Sequence, residues 1–230
     1  MKTPIFNPIV GAILLGLVFS SAHANLITNG SLESPSVPVS GFTNYGTGSI
    51  LITGWTVVGP QASVVSGSFS QNLISFLAED GIQWLDLTGF NANNPSDGIT
   101  QTVATTAGTT YDLSFWVGNV CNPNGIFGTT STVNVSINGG AATGYENIGC
   151  SPVGTANSQV WEQFTTSFMA TSASTTLTFL NGDPGTDNSN GLDNIVLTAE
   201  GTPSIPEPAT LALLGIGIVG LVASRRPKRS

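Results

Sequence analysis

Positive charge is what this 230-residue chain lacks. Its five basic residues all stand at the ends, Lys2 and then Arg225, Arg226, Lys228 and Arg229, and its single histidine is His23. Residues 25–204 hold twelve carboxylates and no Lys, Arg or His. That absence excludes direct nucleic-acid binding, which rests on Lys and Arg neutralising phosphates. It excludes histidine-based triads, histidine-ligated zinc and Schiff-base lysines within that stretch. It also excludes Lys or Arg salt bridges there. Charge of either sign is scarce, 8% of residues against roughly 25% in an average soluble protein. Cysteine is reduced to Cys121 and Cys150. Between the two ends there is no helical period of useful length. Glycine (28) and proline (13) are plentiful, so turns are frequent.

The ends read as processing signals. Lys2 is followed by an apolar run from Ile9 to Phe19 and by Ser20-Ser21-Ala22-His23-Ala24. A basic start, a short apolar core and small residues at an A-x-A site describe a secretory signal peptide. The run is short for a bilayer span of about 20 residues. Cleavage by signal peptidase is expected after Ala24, so residues 1–24 are removed. At the other end, residues 200–208 form a linker ending in Pro206-Glu207-Pro208. Residues 209–224 are uncharged and mostly apolar, and 225–230 are basic. The expectation is a transmembrane helix over 209–224, with the basic tail in the cytoplasm by the positive-inside rule. Both ends then place the central domain across the membrane.

The ordered set of Pro206-Glu207-Pro208, a Gly-containing apolar helix (Gly215, Gly217, Gly220) and a terminal Arg/Lys cluster resembles the PEP-CTERM sorting signal of Gram-negative bacteria. The resemblance implies recognition by an exosortase, a membrane-embedded cysteine protease that cuts near the motif. It implies anchoring in the inner membrane first. Release to the cell surface or outside the cell follows, often in strains that make exopolysaccharide.

Period-2 alternation fills the centre. Residues 110–119 put Tyr111, Leu113, Phe115 and Val117 on one face, and 131–138 do the same with Val133, Val135 and Ile137. Segments 160–168 and 174–180 alternate likewise, and further strands are expected at 50–58, 62–66, 82–88, 98–104 and 192–199. Turn signals such as Asp80-Gly81 and Asn138-Gly139-Gly140 separate them. About nine short strands predict an all-β sandwich over residues 25–199. In an exported protein the cysteine pair Cys121 and Cys150 predicts a disulfide, which the loop-entropy model credits with roughly 3.5 kcal/mol. A reactive thiolate has no Lys, Arg or His nearby in sequence to lower its pKa.

The order of features also resembles the choice-of-anchor C family and related galactose-binding-like jelly rolls. It runs from Asn25-Leu26-Ile27-Thr28-Asn29-Gly30 through Gly54-Trp55-Thr56-Val57, Asp80-Gly81 with Leu85-Asp86-Leu87, and Gly98-Ile99-Thr100-Gln101-Thr102. It continues with Thr110-Tyr111-Asp112-Leu113-Ser114-Phe115 and ends at Leu192-Asp193-Asn194-Ile195. The segment 119–131 departs from that pattern. The resemblance implies a jelly roll commonly linked to carbohydrate. It also implies a structural calcium ion joining the first and last strands, where Glu33 and Asp193 stand. The alternative role for these two is to accept hydrogen bonds at strand ends.

Four tryptophans remain to be placed. Trp55 is expected in the core and Trp161 over a sheet edge. Trp84 and Trp116 alternate with inward aliphatics and so face outward. Exposed aromatics stack on sugar rings, with Asp86, Asn119 and Asp112 as hydrogen-bonding neighbours. The alternative is that a loop covers these rings. No nucleophile–base pair is visible, and no cationic group stands ready to stabilise an oxyanion. The expectation is therefore a non-enzymatic module that binds a neutral polysaccharide. A structural or adhesive matrix protein without a sugar ligand is the alternative.

Overall fold

The computed structural model describes residues 24–90, 93–120, 122, 125–149 and 158–200. The expected signal peptide through His23, Pro206-Glu207-Pro208, the 209–224 helix, the basic tail and both cysteines lie outside the described residues. Ala24–Thr202 is one compact unit.

The described residues contain thirteen strands and no helix. They are β1 (Phe42–Gly46), β2 (Thr56–Val58), β3 (Gln61–Ser66), β4 (Ser70–Gln71), β5 (Ile74–Ser75), β6 (Gln83–Asp86) and β7 (Gly98–Ala104). Then follow β8 (Thr110–Asn119), β9 (Ser131–Ile137), β10 (Thr143–Asn147), β11 (Val160–Met169), β12 (Ser174–Asn181) and β13 (Gly191–Ala199). One sheet runs β1-β3-β6-β13-β8-β11, the other β10-β9-β12-β7-β2, and β4-β5 is a small separate hairpin. The two large sheets make an all-β jelly-roll sandwich.

Alternation dictates which side chains meet between the sheets. Tyr111, Leu113, Phe115 and Val117 of β8 face Val133, Val135, Leu177 and Phe179 of the other sheet, all buried. Phe115 meets Phe179 edge-on at 5.4 Å, and Trp55 meets Phe179 at 5.9 Å. Each such side chain contributes about 1.5–3 kcal/mol by leaving water. Threonines fill the opposite face of β7 and β12, where Thr100 pairs with Thr178 and Thr102 with Thr176 through their hydroxyls.

Residues 25–30 are stitched to the last strand. The Leu26 N–H donates to the Leu197 carbonyl and the Ile195 N–H to that of Gly30. Asn25 Oδ1 accepts from the Leu197 N–H. A Cβ on Gly30 would collide with the Ile195 carbonyl, so only glycine lets the two segments come this close. Of the expected strand 50–58 only Thr56–Val58 is extended. The Trp55 N–H turns back to the Ile52 carbonyl beside Gly54, whose φ is +82°. Strands β1, β10 and the β4-β5 hairpin lack a long apolar alternation and were not legible in the sequence.

Candidate functional site

The outer face of the six-stranded sheet carries two rows set by register. One runs Phe42–Val65–Trp84. The other runs Asn44–Ser63–Asp86–Gly191–Gly118–Trp161. An apolar outer face must be covered, and here the β4-β5 hairpin and the 125–128 segment cover it. Val65, Ile74, Phe76, Trp84, Val120 and Phe127 form a second buried cluster apart from the sandwich core. Phe76 lies nearly parallel to Trp84 (13°) and edge-on to Phe127, with centroids at 6.1 and 5.1 Å. Tight hairpins favour positive φ at the turn, and Asn72 and Leu73 adopt φ of 52° and 65°.

Between hairpin, sheet and loop lies a cavity of about 390 Å³. Phe42, Phe69, Phe76, Trp84, Phe90 and Phe127 form its aromatic walls. Ser63, Gln71, Asp86 and Asn188 supply polar groups. Asp86 is held on the floor by the Thr88 N–H (2.9 Å), the Thr88 hydroxyl (2.8 Å) and the Asn190 N–H (3.2 Å), all on Oδ1. Burial outweighs these bonds and pushes its carboxyl up to about 7. Farther along the same face, Asp112, Ser114, Gln163 and Thr165 line a separate polar depression.

The expected sugar contacts are redistributed. Trp84 faces outward from the sheet, but it is 1% exposed beneath the hairpin and its indole N–H donates to the Phe76 carbonyl at 3.2 Å. It cannot offer a free face, and the covering loop is the physical reason. Trp116 is half-buried, stands opposite Asp193 and Gln163, and is not among the residues lining the cavity. Asn119 is fully buried at the end of β8, where its amide donates to the Thr129 and Asn147 carbonyls. Asn119 is not among the residues lining the cavity. Of the four, Trp84 and Asp86 reach the cavity. Phe42, Phe69, Phe76, Phe90 and Phe127 were missed. The one available signal was Phe69 and Phe76 bracketing a short polar turn around Asn72.

Glu33 and Asp193 converge on one loop through N–H donors. Glu33 Oε1 accepts from Ile82 (2.7 Å) and Gln83 (2.8 Å). Asp193 Oδ2 accepts from Glu79 (2.9 Å) and Asp80 (3.1 Å), and Oδ1 from Asn194 (2.7 Å). These bonds tie both carboxylates to the 79–83 loop. Burial raises Asp193 to about 8.

A second acidic group lies in the turn before β13. Asp183 is pushed up to about 8 by burial and by the charges of Asp187 and Asp86. Asp187 is pushed to about 7 by burial, with Asp86 adding to it.

With this geometry in place, the chain can be set among known proteins. Residues 25–197 match the family described as "Protein of unknown function (DUF642)", and the chain belongs to that family. Residues 204–226 match the PEP-CTERM protein-sorting motif, which marks an exported protein sorted through its C-terminal tail. No curated protein matches the sequence. Among solved structures it is similar to a family 35 carbohydrate binding module from Clostridium thermocellum, with 16% identity and a TM-score of 0.41, over 68% of this chain and 98% of that one. The CBM22-1 xylan-binding domain from Paenibacillus barcinonensis Xyn10C shows 15% identity and a TM-score of 0.38, over 70% and 94%. The Podospora anserina GH26-CBM35 β-(1,4)-mannanase shows 19% identity and a TM-score of 0.38, over 73% of this chain. The chain spans only 29% of the length of that enzyme.

Proposed function

We propose that the exported domain is a carbohydrate-binding module, not an enzyme, and that it takes a neutral sugar into the aromatic cavity beside Asp86. The cavity itself carries this reading. Small-ligand sites are concave, mostly apolar and furnished with a few convergent polar groups, at volumes of about 300–1,000 Å³. Here six aromatic rings meet Asp86, Asn188, Ser63 and Gln71 within about 390 Å³. Rings suit the C–H faces of a pyranose, and the polar groups suit its hydroxyls. Phe90, 52% exposed and tilted against Phe42 with centroids at 5.6 Å, is the ring most open to a ligand. Trp84 is the floor beneath it.

Charge argues for a neutral ligand. Residues 25–204 contain no base, so nothing can pair with uronate or sulfate groups. Asp86 is the one carboxylate among the described residues lining the cavity, whereas glycoside hydrolysis ordinarily uses two. Signal peptidase and an exosortase are the processing partners on this reading. The resting place is the cell surface or the extracellular polysaccharide matrix.

The test is a titration of the purified chain with a panel of neutral oligosaccharides, in parallel with Phe90→Ala. Saturable binding that Phe90→Ala weakens at least about tenfold is expected, since aromatic contacts dominate such sites. Absence of saturable binding across the panel would favour a matrix protein without a sugar ligand.

A further inference from the structure

The turn between β12 and β13 holds buried oxygens that the protein leaves without partners. Asp183 is 4% exposed; its Oδ1 accepts the Thr132 N–H at 2.5 Å, and its Oδ2 is buried with no hydrogen bond. Asn190 is fully buried; its amide donates to the Thr132 carbonyl (2.5 Å) and to Asn181 Oδ1 (2.8 Å). Its own Oδ1 has no partner. Thr132 therefore grips both side chains from one peptide position. The Ser189 hydroxyl, between Asp187 and Asn190 in sequence, is also buried and unpartnered. Asp187 is 3% exposed; its Oδ1 takes the Ser189 N–H, while its Oδ2 rests against Gly128, where any Cβ would collide with it. Asp86 joins the group through the Asn190 N–H.

Such a group needs positive charge, and residues 25–204 have none to give. Protons can neutralise carboxylates, but they cannot satisfy a carboxamide oxygen, which only accepts. The Asn190 oxygen calls for a donor or a cation. Every candidate ligand is an oxygen, the set that suits calcium and not zinc or copper.

We propose that Asp183 and Asp187, with the carboxamide oxygen of Asn190, bind a calcium ion behind the cavity floor, and that Asp86 adds attractive charge. No three acidic side chains among the described residues are already gathered around one point. The ion uses two carboxylates and completes its six to eight oxygens from Asn190, Ser189, backbone carbonyls and water. This site is separate from Glu33 and Asp193, and it does not depend on the sugar reading.

Calcium chloride alone, titrated calorimetrically into the chelator-stripped chain, tests the proposal without any sugar. One ion per chain is expected, saturating near the ~10⁻⁴–10⁻³ M typical of extracellular calcium modules, with a rise in melting temperature. Asp183→Asn abolishes the heat and the rise while still melting cooperatively in chelator. Asp187→Asn weakens binding at least about tenfold and decides the matter if Asp183→Asn does not fold. Asp193→Asn keeps wild-type affinity. A wild-type melting temperature unmoved by about 5 mM calcium overturns the proposal. Undiminished binding in both Asp183→Asn and Asp187→Asn also overturns it, as does binding lost in Asp193→Asn alone.

Discussion

The Trp161 indole meets Trp84 edge-on, with ring centroids 6.1 Å apart and planes at 80°. Gly118 and Gly191 make the room for it. A Cβ on Gly191 would lie 3.0 Å from the Trp161 ring, and one on Gly118 2.8 Å from it. The Trp161 N–H also donates to the Leu77 carbonyl at 2.9 Å, fixing the segment that follows the hairpin. Gly118→Ala must displace Trp161 and Gln159 together. Overpacking of this kind costs about 1–3 kcal/mol. Chemical denaturation should show that loss, with a red shift in tryptophan emission as the cover over Trp84 loosens. Wild-type stability with unchanged emission would mean the indole is not locked.

Asn147 links the two sheets. Its amide donates to the carbonyls of Val117 (2.7 Å) and Val160 (3.1 Å), and its Oδ1 accepts the Gly149 N–H (2.8 Å). Asn147→Ala strips partners from backbone groups at a buried site, at about 1–3 kcal/mol for each group left unsatisfied. A loss of 2 kcal/mol or more in urea unfolding is expected, and a loss under about 0.5 kcal/mol would contradict the bridging role.

Stability in chelator should fall as pH rises. Asp86, Asp97, Asp183, Asp187 and Asp193 are all raised from 3.8, chiefly by burial, with Asp183 and Asp193 near 8 and Asp86 and Asp187 near 7. A carboxyl with a raised folded pKa holds its proton more tightly when folded. The stability it contributes is full below about pH 4 and is lost as pH climbs through its folded value. The chain should therefore melt higher at about pH 5 than at about pH 8. A melting temperature that rises over that interval would show these carboxyls ionise freely.

The sandwich was legible because alternation alone separates core from surface. Phe115 and Leu177 could be assigned inward without coordinates, and the structure buries both. The same alternation puts Trp84 on the outer face. It cannot reveal that residues 69–76 fold back over that face, because a hairpin with two-residue strands carries almost no periodic signal. Asp183 and Asp187 were overlooked for a related reason. Asn181-Gly182-Asp183-Pro184-Gly185 reads as a solvated turn, and only the packing of Asp183 against Thr132, and of Asp187 just beyond the turn against Gly128, shows that these two carboxylates point inward.

Export chemistry can be checked on the mature protein. Asn25 and Leu26, the first residues left by a cut after Ala24, are bonded to Leu197. Mass spectrometry of the exported form should find Asn25 first and no Arg225–Arg229. Alkylation without reductant should label neither Cys121 nor Cys150. Recovery of Met1, or labelling of both thiols, would contradict the processing and pairing expected here.

The central claim is a neutral-sugar site in the aromatic cavity, and equilibrium binding tests it most directly. Neutral and uronate-rich polysaccharides are compared in chelator, at about 0.05 and about 0.5 M salt, with wild type and Phe90→Ala side by side. Salt screens charge attraction but leaves ring stacking nearly untouched. The account predicts saturable binding of a neutral polymer, little changed by salt and lost with Phe90. Tight binding of the uronate polymer alone, abolished at high salt and indifferent to Phe90→Ala, would contradict it.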